Sequence, residues 1–129
     1  MSKCQSYNFV IKRGATKVFT VEYTDSTGSI IPITNYNARM QLREEPDSGY
    51  VLNLSSTGST ANRSTLTVTP SSGSVRVYIS AADTNNLSAD AYVYDLELYT
   101  AADPYSQSDP EYVIRLLQGM ITTTYNVTR

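Results

Sequence analysis

The 129-residue sequence has no histidine, no tryptophan and a single cysteine, and only 17% of its residues are charged. Without histidine it cannot build a Ser-His-Asp or Cys-His catalytic centre, and most zinc sites are excluded as well. The lone Cys4 excludes an internal disulfide. The formal net charge of −2 makes nucleic acid a poor partner, because binding to phosphates needs an excess of lysine and arginine. We therefore expect a protein that is not an enzyme and carries no metal or cofactor.

Long apolar runs are also missing. No stretch reaches the roughly 18 apolar residues that a membrane span needs, and no apolar run follows Lys3 as it would in a signal peptide. We expect a chain that does not enter a membrane and is made in the cytoplasm without export. Its length is that of one domain, so residues 1–129 are predicted to form a single domain with residues 1–5 as a flexible tail.

Serine, threonine and tyrosine are abundant, with 16 Ser, 16 Thr and 11 Tyr. Threonine and tyrosine suit pleated, half-exposed surfaces, while serine is common in turns. Apolar and polar residues alternate with a period of two in many short segments, which are separated by polar turns every 8 to 15 residues. This pattern predicts an all-β fold, a single immunoglobulin-like antiparallel β-sandwich of about seven to nine strands.

The alternation also predicts which side chains form the core and where the chain turns. Ser80 and Asp83 have the spacing of a helix N-cap, so residues 81–87 are predicted to form the one short helix. The last strand is predicted over residues 112–125, with a bulge or bend at Gly119. The predicted core residues are Phe19, Val21, Met40, Leu42, Leu66, Val68, Val77, Ile79, Tyr94, Leu96 and Leu98.

Two carboxylates in one strand are the strongest candidate for chemistry. Asp95 and Glu97 point to the same side because they are two residues apart, and so do Arg39 and Arg43 in an earlier strand. Two carboxylates at this spacing could act as general acid and base. Nothing near them supplies a nucleophile or metal-ligand spacing, so ion pairs with Arg39 and Arg43 across neighbouring strands are the more economical prediction.

Tyrosines outside the inward-facing rows are the candidate protein interface, because aromatic residues are enriched at such surfaces. Tyr99 ends a strand, Tyr105 lies in the polar loop 101–111, and Tyr112 begins the last strand. The strand at 112–125 has no lysine, which soluble proteins often place on an unpaired edge. We therefore expect it to be an edge strand that docks against a partner together with the loop.

Seven short phrases follow one another along the chain: Arg13-Gly14-Ala15-Thr16, Asp25-Ser26-Thr27-Gly28, the run from Ile33 to Arg43, Ile79 to Thr84, Tyr92 to Leu98, Val113 to Gly119, and Val127-Thr128-Arg129. Together they resemble small virion proteins of tailed bacteriophages and the immunoglobulin-like adaptor domains of upper baseplate proteins. The resemblance covers nearly the whole chain, although upper baseplate proteins continue well beyond the point where this sequence ends.

The resemblance implies a structural component of a phage virion, most simply a baseplate or tail-fibre adaptor in the tail. Such a protein would bind other virion proteins, be present in many copies in a symmetric assembly, and bind no small-molecule ligand. A capsid-decorating or neck protein is the structural alternative. A carbohydrate-binding module of the host-recognition apparatus is an alternative of another class, although the absence of tryptophan weighs against it.

Overall fold

Nine strands account for more than half of the residues that the computed structural model describes, which are residues 5–100 and 112–125. Polar and buried residues alternate along them, most regularly in the eighth strand. The strands are β1 Gln5–Ser6, β2 Phe9–Lys12, β3 Lys17–Glu22, β4 Asn37–Arg43, β5 Tyr50–Ser55, β6 Thr65–Thr69, β7 Ser74–Ile79, β8 Ala91–Thr100 and β9 Tyr112–Thr124; the helices are α1 Ala81–Asn85 and a 3₁₀ turn, Pro70–Ser72.

The strands form two sheets that pack face to face. The larger has six strands in the order β1-β9-β8-β4-β5, with β2 also pairing with β9, and the smaller has the order β3-β7-β6. β1 and β2 run parallel to β9, and the other pairs are antiparallel. β3, β7 and β6 take the places of strands B, E and D of an immunoglobulin domain, and β4, β5, β8 and β9 those of C, C′, F and G. The predicted all-β sandwich is confirmed.

A tyrosine corner supports the same assignment. In immunoglobulin-like domains, a tyrosine near the start of strand F hydrogen-bonds the backbone a few residues upstream. Tyr92, the second residue of β8, is 2% exposed, and its hydroxyl accepts a hydrogen bond of 2.8 Å from the Ala89 amide. The bond gives the buried hydroxyl a partner and fixes the chain where it enters β8.

Eight of the eleven predicted core residues are buried between the sheets, including Leu96 at 0% exposure. The other three, Phe19, Val21 and Val68, are partly buried and pack against that core. They lie in β3 and β6, the two edge strands of the smaller sheet, where neighbouring strands cover only one side.

Helix α1 begins where its cap predicts and ends two residues early. The Ser80 hydroxyl accepts a hydrogen bond of 3.2 Å from the Asp83 amide, as an N-cap does. The helix ends at Asn85 instead of residue 87, because the amides of Asn86 and Leu87 bond to carbonyls three residues back and tighten the chain into a turn. Within the described ranges, no helix is long and apolar enough to span a membrane.

β9 is not the edge strand that its lack of lysine predicts. β8 pairs with it on one side, and β1 and β2 pair with residues 117–118 and 121–124 on the other, so its C-terminal part is flanked on both sides. The expectation of an edge strand is therefore wrong for this part of β9, whereas docking of the strand against a partner stays a prediction. A strand flanked on both sides does not need the charged residues that protect an edge.

The bulge in β9 is also not at Gly119. Leu96 pairs with Leu117 and Glu97 with Arg115, so Leu116 is the extra residue. Gly119 has a different role. The residues between β1 and β2, Tyr7 and Asn8, pass very close to the β9 backbone at this position. A Cβ atom added at Gly119 would collide with the carbonyl oxygen of Tyr7 and lie 2.8 Å from Oδ1 of Asn8. Only glycine lets the two backbones approach this closely.

Candidate functional site: the outer face of the larger sheet

The side of β4, β8 and β9 that points away from the core carries the predicted ion-pair residues, and we call it the outer face. Its side chains are aligned in rows across the three strands, because cross-strand partners share a face. In strand order β9, β8 and β4, the four rows are Met120–Val93–Arg43, Gln118–Asp95–Gln41, Arg115–Glu97–Arg39 and Val113–Tyr99–Asn37.

The bulge at Leu116 decides that Arg115 belongs to this face. Strict alternation would put Arg115 on the same side as Leu117 and Ile121, which are both buried. One extra residue shifts the alternation, so Leu116 and Leu117 both point inward and Arg115 faces out, opposite Glu97. Sequence reasoning missed Arg115 for this reason.

The two inner rows hold a connected group of charges. Arg39 Nε lies 3.0 Å from Oε1 of Glu97, and Arg115 Nη2 lies 3.2 Å from Oε2 of the same carboxylate. Arg115 Nη2 is also 3.6 Å from Oδ2 of Asp95. Glu97 is thus held between two guanidinium groups, and Arg115 links it to Asp95.

Arg43 makes hydrogen bonds to neutral groups on the outer face and in the adjacent turn. Its guanidinium donates one hydrogen bond to the carbonyl of Ser48 in the β4–β5 turn and another, of 2.7 Å, to Oε1 of Gln41. The turn therefore orients Arg43 along the end of the face. The structure brings together Arg39 and Glu97 of the predicted set, adds Arg115, and uses Arg43 to hold the turn.

The environment of Asp95 disfavours its charge. Partial burial and the neighbouring carboxylate of Glu97 raise the pKa of Asp95, and the attraction of Arg115, Arg43 and Arg39 only partly offsets this. A carboxyl group in this state is stabilised by any further hydrogen-bond donor or positive charge brought to the face.

A shallow concavity of about 620 Å³ opens beside Asp95. Val93, Met120 and Pro46 supply apolar lining, while Asp95 and Gln118 are among the polar residues. Met120 is 51% exposed, so this end of the face has apolar surface in contact with solvent. The face combines a charged centre with exposed apolar side chains at both ends, since Val113 at the other end is also exposed.

The three tyrosines predicted at an interface have different outcomes. Tyr99 is half-buried in the end row of the outer face, and the Arg39 guanidinium lies 4.6 Å from its ring centre. Tyr112 pairs with Thr100 at the same end of the sheet. Tyr105 and the loop 101–111 lie outside the described residues, as does Cys4. The prediction that these three form a contact surface stays a prediction.

A buried carboxylate elsewhere has a structural explanation. Asp83 accepts hydrogen bonds from the hydroxyls of Thr60 and Ser64 and from the amide of Asn62, which ties the 56–64 connection to α1. Burial by itself raises the pKa of Asp83, but the bonds from Ser64, Asn62 and Thr60 outweigh it and hold the pKa below its usual value.

Among residues 5–100 and 112–125, no group of three or more His, Cys, Asp or Glu side chains could hold a metal ion. The outer face offers ion pairs, amides and exposed apolar side chains. In comparisons with known proteins, no family model matches the chain and no curated protein is significantly similar to it.

Proposed function

We propose that the chain is a structural component of a bacteriophage virion, a baseplate or tail-fibre adaptor in the tail that acts through protein–protein contacts and not as an enzyme. The outer face of the larger sheet carries this proposal. It has a charged centre formed by Arg39, Glu97, Arg115 and Asp95, with exposed apolar side chains at its ends. Polar and charged groups at such a surface select the partner, and apolar groups supply the gain from burial.

The resemblance to phage adaptor domains is the reason for proposing that the protein lies in the tail. An immunoglobulin-like sandwich without a metal-ligand cluster in the described residues suits a connector that presents one rigid face. The end of β8 pairs with the start of β9, Tyr99 with Val113 and Thr100 with Tyr112. We expect contacts with other virion proteins at this end of the sheet and on the outer face.

The test is to locate the protein on purified particles. Particles from an infected culture of the source phage are purified by density gradient, and the chain is quantified by mass spectrometry against the major tail protein. Gold-labelled antibodies raised against the chain then show its position by electron microscopy. We expect several copies per particle and label at the tail end. Label on the capsid or neck would support the alternative structural placements, and absence from intact particles would refute a virion role.

A variant tests which surface is used. Replacing both Tyr105 and Tyr112 by serine is expected to leave the isolated domain folded while preventing its incorporation into tails. The matched control is Tyr50→Ser, since Tyr50 is 56% exposed and lies on β5, at the opposite edge of the larger sheet from β1 and β2. Normal incorporation of the double variant would show that the docking site is elsewhere.

A further inference from the structure

We propose that the outer face of the larger sheet binds the outer face of a second copy of this chain. The two copies would be related by a two-fold axis parallel to the strands, above the seam between β8 and β9. The inference rests on the proposed function only in treating this face as an assembly surface, and it names the partner of that surface.

The outer face is self-complementary, because the β8 and β9 residues of one row have matching chemistry and can also meet between two copies. A two-fold rotation about an axis in the interface and parallel to the strands preserves position along the strands and exchanges left with right. With the axis above the β8–β9 seam, each β9 residue faces the β8 residue of its own row in the second copy. Residues that are neighbours within one sheet thus also become partners across the interface.

The two inner rows gain opposite charges and hydrogen bonds in this arrangement. Arg115 faces Glu97 of the second copy, and Gln118 faces Asp95 of the second copy, each contact occurring twice by symmetry. The amide of Gln118 is a donor for the Asp95 carboxylate, whose charge is disfavoured in the single chain by partial burial and by the neighbouring Glu97.

The end rows match by their apolar character. Met120 faces Val93 of the second copy, and Val113 faces Tyr99 of the second copy. Met120 and Val113 are 51% and 40% exposed in the single chain, so pairing removes apolar surface from water. The strands of two sheets packed face to face cross at about 30°, so the end rows of the two copies are displaced sideways from each other. The inner rows lie near the two-fold axis, and their side chains stay closest to the partners named above.

Other two-fold arrangements fit less well. An axis directly above β8 would put Arg115 against Arg39 and Glu97 against itself. An axis across the strands, between the inner rows, would put Asp95 against Glu97. The seam between β8 and β4 also pairs opposite charges, but it places the apolar Val93 against Arg43. Among these four, the β8–β9 seam is the arrangement in which the β8 and β9 side chains of the four rows meet as one pair of opposite charges, one amide–carboxylate pair and two pairs with apolar contact.

The size of the face predicts weak association. Rows are about 6.8 Å apart and strands about 4.8 Å, so four rows on the three strands cover about 20 Å by 10 Å, which is small for a stable interface. We expect dissociation constants of about 10⁻⁴ M for the free protein. In a multi-copy particle, the effective concentration of tethered copies reaches the millimolar range, which is enough to form the pair.

Sedimentation velocity on the purified full chain, from about 10 μM to about 1 mM, measures the association directly. We expect a reversible monomer–dimer equilibrium. Arg115→Glu places like charges against Glu97 of the second copy at two symmetric sites and should weaken association at least tenfold. Combining Arg115→Glu with Glu97→Arg exchanges the charges and should restore it.

The matched control is Arg76→Glu, the same chemical change on β7 in the smaller sheet, and it should leave association unchanged. Concentration-dependent amide shifts in ¹⁵N spectra should fall on the outward residues of β8 and β9. The inference is overturned if the chain is monomeric at the highest concentration, if Arg115→Glu dimerises like the parent, or if the shifts fall on β5 or β6. A monomer that is nevertheless present in tails would leave the proposed function standing, and a dimer absent from particles would refute the proposed function alone.

Discussion

Gly119→Ala is the substitution that tests most directly how β1 and β2 are attached to β9. The added methyl group would occupy the space of the Tyr7 carbonyl and lie 2.8 Å from Oδ1 of Asn8. Because the closest atom belongs to backbone, relief requires the segment between β1 and β2 to move away from β9. We expect the substitution to destabilise the fold without preventing it.

The size of this destabilisation follows from the hydrogen bonds that Tyr7 and Asn8 make. They are Tyr7 N to Gln118 O at 2.8 Å, the Tyr94 hydroxyl to Tyr7 O at 2.6 Å, and Met120 N to Asn8 Oδ1 at 2.9 Å. At about 1 kcal/mol each, their loss costs about 3 kcal/mol. Alanine recovers about 0.5 to 1 kcal/mol relative to glycine in a strand. The expected net loss is about 2 to 2.5 kcal/mol.

Guanidinium denaturation followed by circular dichroism measures this loss. Native-state hydrogen exchange locates it, since the Met120 amide should lose protection before amides of the β4–β8 ladder. Gly49→Ala is the matched control, because an added Cβ at Gly49 has no atom within 4 Å. Its free energy of unfolding should stay the same or rise by less than about 1 kcal/mol. If Gly119→Ala is as stable as Gly49→Ala, the close approach of β1–β2 to β9 does not hold.

Three further predictions concern the core and two carboxylates, Asp83 and Asp95, whose pKa values are shifted in the fold. Leu96→Ala should lower the free energy of unfolding by about 2 to 5 kcal/mol, whereas Val18→Ala, at a 41% exposed position, should cost under about 1 kcal/mol by the same denaturation assay. The pKa of Asp83 is lowered in the fold, so its contribution to stability is present above the usual carboxyl pKa and lost as pH falls through the folded pKa. Asp83→Asn should therefore lower Tm at neutral pH, with a difference from the parent that shrinks in acid; a constant difference would contradict this. The pKa of Asp95 is raised, so its charge destabilises the fold once pH rises through the folded value. Asp95→Asn should raise Tm at neutral pH and match the parent below the usual carboxyl pKa, and a lower Tm at neutral pH would show that the ion pair with Arg115 dominates.

Alternation along each strand determined most of the core. From Ala91 to Thr100, every second side chain of β8 is buried, and this follows from the pleat alone. The same rule put Arg39 and Glu97 on one side of their strands, and the antiparallel register then placed them opposite each other. Predictions of this kind succeed because the period of two is a property of the local backbone.

Local hydrogen bonds determined the turns and the start of the helix. Asp25 accepts bonds from the amides of Thr27 and Ser29, and Ser80 caps α1, as their residue types predict. Each of these contacts joins residues at most four positions apart, so the sequence contains both partners in one window.

The tertiary structure decided what depends on distant partners. The lack of lysine in β9 was compatible with an edge or with a covered strand, and only the parallel pairing with Phe9–Lys12, more than 100 residues away, distinguishes them. The bulge at Leu116 likewise follows from how β9 must meet both β8 and the core, and it reverses the side on which Arg115 lies. Which residues alternate follows from the local sequence, but register and strand order are set by hydrogen bonds between distant segments. A shift of one residue in that register moves a charge from the core side to the outer face, and so the composition of the outer face is a tertiary property.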